Sequence, residues 1–281
     1  MAHKGIVASL KRRGLPIPRA TTDDQRTGWP KAPTRRRERR STAMTKTLGI
    51  IGSGMIGSTI ARLAVTAGLD VVISNSRGPR TLQAQVADLG PQARAATPAE
   101  AARAADLVVA AVPLGAIGQL PADALAGKTV IDAMNHYPER DGGLLPLESG
   151  ELTSSELVQH HLPGAHVVKA LNNVFFAHLA VLARPAGAPD RSALPVAGDD
   201  PSAVAATVAL LDVLGYDGVP FGTLADSWRT EPGTAVQAVP YAQAPATEPE
   251  SWDWIFQAPA APASAARIRA LLDSAARTPA P

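Results

Sequence analysis

Residues 48–79 read LGIIGSGMIGSTIARLAVTAGLDVVISNSRGP. An apolar run meets Gly52-Ser53-Gly54-Met55-Ile56-Gly57, a stretch with helical spacing follows, and a second apolar run ends in Ser74-Asn75-Ser76-Arg77. Strand, glycine turn, helix and second strand in this order make the phosphate-cradling half of a dinucleotide site. Each glycine has its own task there. Gly52 permits the tight turn, Gly54 lets backbone approach a pyrophosphate, and Gly57 lets the helix pack closely on the strand. The helix that starts near Met55 turns unsatisfied N–H groups and a partial positive charge toward those phosphates. A tight turn with no ligand is the competing reading.

Sites of this kind usually close the second strand with Asp or Glu, which holds the adenine ribose. Here Ser76 and Arg77 stand in that place. A carboxylate would repel a ribose 2′-phosphate, whereas a guanidinium pairs with it through charge-assisted bonds and Ser76 donates another. Arg80, one helical turn on, adds charge. The exchange favours NADP(H); a merely solvated Arg77 would leave NAD acceptable as well.

Outward from this stretch the pattern keeps alternating. Pro79–Leu89 reads as a helix and 93–96 as a short strand. Thr97-Pro98-Ala99-Glu100 opens a helix with a capping box. Strands are expected at LVVAAVP (107–113), KTVIDAMN (128–135), HVVKAL (166–171), ALPVAGDD (193–200) and GVPFG (218–222), with helices around 151–160 and 201–214. A last helix falls near 264–276, after a Pro/Ala loop at 243–250 and the aromatic SWDWIF (251–256). Alternation of this kind builds an α/β fold, a Rossmann-type doubly wound and mostly parallel sheet, here with a small C-terminal annex. The expected division is a disordered basic extension at 1–43, a nucleotide-binding domain at 44–180, and an α/β annex with a Pro/Ala-rich tail at 181–281.

The chain has 281 residues, 46% of them hydrophobic, enough for one sizeable core. It has no cysteine, which excludes disulfides, a thiol nucleophile, thiolate-bound zinc and iron–sulfur clusters. No apolar run approaches the ~20 residues that span a bilayer, and the beginning of the chain lacks the apolar centre of a secretory signal. A cytoplasmic protein without membrane partners is expected. Residues 1–43 hold twelve Lys or Arg against three Asp or Glu, which leaves fifteen against twenty-two from Met44 onward. The basic balance therefore belongs to the extension. RRRERR can touch nucleic acid, but a solvated tail, or a start upstream of a natural first residue at Met44, explains it as well; no nucleic-acid partner is expected.

No catalytic constellation is evident. His136 and Tyr137, just after the fifth strand, and Lys169 on the sixth are the candidate proton donors. His160, His161 and His166 fit no zinc spacing, and no metal site is expected.

Beyond the glycine turn and SNSR, the chain carries AAVP (110–113), VIDAMNHYPERDG (130–142), VVKALNNVFFAHL (167–179), ALPVAGDDPSA (193–203) and LADSWRTEPGT (224–234). With these it resembles the F420-dependent NADP oxidoreductases over about Lys46 to Tyr241. The resemblance implies phosphate-facing backbone at Ser53, Gly54, Met55 and Ile56, and the 2′-phosphate on Ser76 and Arg77. It places Val112 and Pro113 beside the nicotinamide ribose. Asn172, Asn173, Val174 and Phe176 would line the cleft where nicotinamide meets a second substrate, although the two asparagines also suit turn hydrogen bonds. The chain departs from the compact members by its extension with SWDWIF, whose Trp252 and Trp254 suit a flat ring, a neighbouring subunit or the extension's own domain.

Passing hydride between nicotinamide and a deazaflavin needs mainly positioning, and the cofactors carry the chemistry. Three functions are therefore open. The first is an NADPH-dependent oxidoreductase with a flat acceptor such as coenzyme F420. The second is an NADPH-dependent reductase of a small carbonyl or imine compound. The third is a non-catalytic NADP-binding sensor. A small-molecule acceptor and a homodimer are the expected partners.

Overall fold

In the computed structural model, which describes residues 47–245 and 252–276, the opening stretch forms β1 (Thr47–Ile51), α1 (Met55–Thr66) and β2 (Asp70–Ser74). β1 lies between β2 and β4 (Leu107–Ala110), parallel to both. Its residues alternate between two cores: Leu48 and Ile50 join one, Ile51 the other. β4, β5 (Thr129–Asp132) and β6 (His166–Lys169) repeat this, with Val109, Ile131 and Val168 on the first face and Val108, Val130 and Val167 on the second. A period of two with both faces covered is why these strands read as unbroken apolar runs. Each fully buried Val, Leu or Ile contributes about 1.5–3 kcal/mol of transfer free energy.

α1 packs Ile60, Ala61, Leu63 and Ala64 onto the first core, a stripe at helical spacing. The segment 79–89 is not one helix. Gly78 has φ of 89°, a 3-10 turn covers Pro79–Leu82, and α2 (Gln83–Leu89) follows. β3 (Ala93–Ala96) pairs with β2, and α3 (Pro98–Ala104) begins at the expected capping box of Thr97 and Glu100. α4 (Ser154–His161) precedes β6 and has its own box, from Thr153 and Glu156.

The sheet order among the described residues is β3-β2-β1-β4-β5-β6-β7-β8. Its first six strands follow the doubly wound nucleotide-binding order. The sheet runs on past the boundary expected at residue 180. After α5 (Phe176–Val181), β7 (Ala193–Gly198) pairs antiparallel with β6, and β8 (Asp217–Gly222) pairs parallel with β7. The residues read as an annex therefore carry the same sheet onward, with α6 (Pro201–Leu214) packed against β7 and β8. Both prolines stand in the β7–β8 register, Pro195 opposite Val219 and Pro220 opposite Val196, with the other side of each left open. Pro220 is on the edge strand, and Pro195 lies beyond the short β6–β7 pairing at Ala197 and Gly198.

The extension packs back on this body. Ile255 is buried with Ala238 and Ala242, Trp254 leans on them, and Ala242 bridges to Ala260. Trp254 thus faces its own domain. α7 (Ala265–Ser274) sets Ile268 and Leu272 into the main core. The basic segment 1–43 and residues 246–250 of the expected loop lie outside the described residues, as does the side chain of Trp252. Among the described residues no helix is long and apolar enough to cross a membrane.

Candidate nucleotide site at the switch of strand order

The connections leave β1 and β4 in opposite directions across the sheet, so a crevice opens beyond their carboxyl ends. The glycine turn sits there. Gly52 has φ of 115°, and a methyl added to it would stand 2.2 Å from the Ala111 carbonyl oxygen. One added at Gly57 would stand 1.9 Å from the Gly52 carbonyl oxygen. The fold itself demands these two glycines. Gly54 is different: its φ of −73° suits any residue, and among the described residues a methyl there would meet nothing within 4 Å. The protein has no need of glycine at 54, whereas a phosphate close to the backbone does. Gly54 is also the N-cap of α1, whose start has neither a side-chain cap nor an acidic residue in its first turn. Met55 is half exposed and Ile56 packs against the core.

At the end of β2 the Ser74 hydroxyl donates to the Ile50 carbonyl, and Ser76, Arg77 and Arg80 are exposed. Among the described residues no ion pair occupies Arg77 or Arg80. Asn75, which the sequence reading passed over, is buried between the two loops. Its Oδ1 accepts from the Arg77 amide at 3.0 Å, and its Nδ2 donates to Thr81 Oγ1 at 3.0 Å and to Ser53 Oγ at 3.3 Å. An Asn two residues before a turn amide is a legible Asx-turn signal; the Ser53 bond is not legible from spacing.

Across the crevice β4 ends at Ala110, and Val112 and Pro113 follow with Val112 beside the glycine turn. The strand stops short of the expected 113, at Ala110, which pairs with the last residues of β1 and β5, Ile51 and Asp132. β5 ends at Asp132, which accepts from the Met134 amide. The loop beyond holds Asn135, His136 and Tyr137, and it folds back on itself. His136 Nε2 lies 3.0 Å from the Gly142 carbonyl, and Arg140 spans Asn135 O, the Tyr137 ring and the Asp141 carboxylate. Burial pushes the Asp141 carboxyl up, but hydrogen bonds from Arg140 and from the Tyr137 and Gly115 amides outweigh it and hold it below its ordinary range. Burial raises Tyr137, against the opposing pull of Asn135 and Arg140, so its phenol stays protonated at neutral pH.

Lys169 is fully buried. Its ammonium donates to Asp132 Oδ2 (3.1 Å), the Met134 carbonyl (2.7 Å) and Ser154 Oγ (3.2 Å). A cation with three donors spent inside the sheet is a structural tie, and Lys169 leaves the set of proton donors. The two asparagines, which follow Leu171 at φ of 64°, part company. Asn172 exchanges bonds with Asn135 in both directions, Asn135 Nδ2 to Asn172 O at 2.8 Å and Asn172 Nδ2 to Asn135 Oδ1 at 3.1 Å, and also donates to the Thr230 carbonyl at 2.8 Å. Asn173 points inward instead, to the Val236 carbonyl and the Tyr241 hydroxyl, and Val174 is buried in the main core. Neither lines the crevice as expected. Phe176 is half-buried and stacks edge-on against Phe175, which also meets Phe256 of the extension.

Beyond Thr230 a cavity of about 700 Å³ opens between residues 147–152, residues 228–235 and the end of α7. Its described lining includes Glu148, Trp228, Glu231 and Thr234, and neither Lys nor Arg. Glu231 is fixed by the Ser154 amide and hydroxyl, both bonded to its Oε1.

A doubly wound sheet with an open glycine turn at its switch point defines the dinucleotide-binding class. Comparison with known proteins narrows this. The family model described as NADP oxidoreductase, coenzyme F420-dependent, matches residues 47–136. A hypothetical protein of known structure from Sinorhizobium meliloti is 32% identical, with 70% of this chain and 94% of that one covered and a TM-score of 0.61. A candidate F420-dependent NADP-reductase from Arthrobacter sp. FB24 is 28% identical, covering 65% of this chain and 87% of the other with a TM-score of 0.55. YjhV of Escherichia coli (strain K12) is 46% identical over 50 residues, 18% of this chain and 36% of that protein. The chain thus spans about a third of that curated relative. The chain belongs to the F420-dependent family of NADP oxidoreductases, and so to the NAD(P)-dependent oxidoreductases.

Proposed function

We propose that the protein is an NADPH-dependent oxidoreductase that passes hydride between NADP(H) and a flat acceptor of the coenzyme F420 type. The observation that carries this reading is the uncovered helix start at Gly54, with exposed Arg77 and Arg80 on the adjoining loop. In it, the amides of α1 hold the pyrophosphate, Ser76 and Arg77 take the 2′-phosphate, and Val112 and Pro113 bound the nicotinamide ribose. Bound NADPH supplies the hydride. The chain's own part is to hold the two rings at near-attack distance, so no strong acid is required.

A second reading, reduction of a small imine or carbonyl compound, is favoured by the cavity next to Thr230. With Glu148 and Glu231 on its wall and no basic residue in its described lining, it suits a neutral or cationic substrate better than an anionic coenzyme. His136 and Tyr137 are then the proton donors to examine.

Anaerobic mixing of the protein with NADPH and F420, FMN, FAD, ferric chelates, simple ketones or cyclic imines decides between them, followed by loss of nicotinamide absorbance. Turnover with F420 alone supports the first reading, and turnover with imines or ketones alone the second. No turnover with any acceptor, despite tight NADPH binding, would favour the sensor. Arg77→Ala is expected to weaken NADPH about 10–100-fold relative to NADH, the loss of a charge-assisted pair; equal losses for both would remove the 2′-phosphate role.

A further inference from the structure

We infer that Asn75 is a specificity-determining positioning residue. It locks the glycine turn to the 2′-phosphate loop, so that Arg77 is presented in register with the pyrophosphate. This rests on the NADP(H) reading proposed above.

The argument begins with what one amide can do. Asn75 is 8% exposed and uses both ends of its side chain. Oδ1 fixes the Arg77 amide at 3.0 Å, which sets the backbone from which the guanidinium departs. Nδ2 carries two hydrogens and has two acceptors, Thr81 Oγ1 and Ser53 Oγ. The single Thr81 hydroxyl hydrogen goes to the Gly78 carbonyl at 2.8 Å, which leaves its oxygen free to accept from Asn75. Thr81 therefore braces the far side of the same turn. Ser53 stands between Gly52 and Gly54, and by accepting from Asn75 it keeps its own hydrogen for a phosphate oxygen.

One buried side chain thus holds two phosphate-facing loops that are 22 residues apart in sequence. The pyrophosphate and 2′-phosphate are covalently part of one ligand at a fixed range of separations. A rigid link between the loops pre-organises both contacts, and its loss returns the ordering cost to the binding step. Asp at this position would keep the bond from the Arg77 amide. It would lose both donors, however, and set a negative charge beside the proposed phosphate.

The test measures dissociation constants for NADPH and NADH by nicotinamide fluorescence in wild type, Asn75→Ala, Asn75→Asp, Arg77→Ala and the Asn75→Ala/Arg77→Ala double variant, each checked by its thermal transition. Asn75→Ala is expected to lower the NADPH-over-NADH preference about tenfold, and Asn75→Asp to lower it further. In the Arg77→Ala background the Asn75 substitution is expected to leave the remaining preference unchanged, because Asn75 acts through Arg77. Equal weakening of both nucleotides by Asn75→Ala would overturn the inference and reduce the residue to a support of the glycine turn. So would an undiminished effect without Arg77. If wild type itself shows no NADPH preference, the cofactor reading fails rather than this inference; a preference abolished by Arg77→Ala yet intact in Asn75→Ala sinks the inference alone.

Discussion

The three glycines of the turn answer to different masters, and substitution separates them. Gly57→Ala drives a methyl into the Gly52 carbonyl, which neither α1 nor β1 can yield without losing packing. We expect a loss of about 1–3 kcal/mol or more in denaturant titration, as for other overpacked sites. Gly54→Ala meets open space among the described residues at an ordinary φ, so its stability is expected to stay within about 0.5 kcal/mol of wild type. Its NADPH affinity is nevertheless expected to fall at least about tenfold, because the methyl occupies the approach to the amides of α1. A Gly54→Ala protein that binds NADPH as wild type does would show that the phosphates lie elsewhere. Gly54 is thus the position where these two measurements separate a ligand's demand from the fold's.

Loops rather than strands decide which side chains face the crevice. Among the described residues two non-glycine residues take positive φ, Leu171 and Ala238, and Asn173 connects them: it follows Leu171 closely, and its carbonyl accepts from the Ala238 amide. Ala238 forms a γ-turn of the strained kind, with the Val239 amide bonded to the Gln237 carbonyl at 2.7 Å. Ala238→Gly relieves that backbone at the cost of some chain entropy and a small methyl, and a net stabilisation of about 1 kcal/mol is expected by chemical denaturation. A destabilised variant would mean that the methyl's packing on Ile255 and Ala242 outweighs the strain. Leu171 offers no such gain, since its side chain is fully buried and its removal opens a cavity. These turns also mark where sequence reading ends. The strands, α1, the capping boxes and the glycine turn were legible because periodicity and caps are local. The opposite fates of Asn172 and Asn173 rest on partners far along the chain, which no hydropathy pattern records. The bonds of Asn172 to Asn135 and Thr230 join residues 37 and 58 apart, and only the assembled sheet brings them together. Lys169 looked like a candidate because it stands at a strand end, but the register that sets it against Asp132 commits its charge to the interior.

The way the last third of the chain completes the sheet has a consequence for stability at high pH. Tyr216 and Tyr241 are fully buried where β7, β8 and the extension meet, the first donating to the Leu179 carbonyl and the second to the Ala193 carbonyl. Burial raises both phenols far above their ordinary value. The charge of ionised Tyr241 raises Tyr216 further, while Asn173 and Arg267 offset part of the rise at Tyr241. The unfolded chain releases these protons near pH ~10, and the folded chain holds them. Their contribution to stability is therefore complete below about pH 10 and is lost as pH climbs from there toward the raised folded values. The unfolding free energy should fall with a slope approaching about 1.4 kcal/mol per pH unit for each tyrosine. Lysines lose their charge in the same window, so the bare slope does not identify its source. Tyr241→Phe does. At pH 7 it is expected to cost about 1 kcal/mol, for the bonds to Ala193 and from Asn173. Above pH 10 its stability should decline less steeply than wild type by about 1.4 kcal/mol per unit, so the two curves converge. Urea titrations of both proteins at several values from about pH 7 to about pH 11 measure this directly. Parallel curves would mean that Tyr241 ionises as readily in the folded protein as in the unfolded one, and that the junction between the extension and the sheet is open to water.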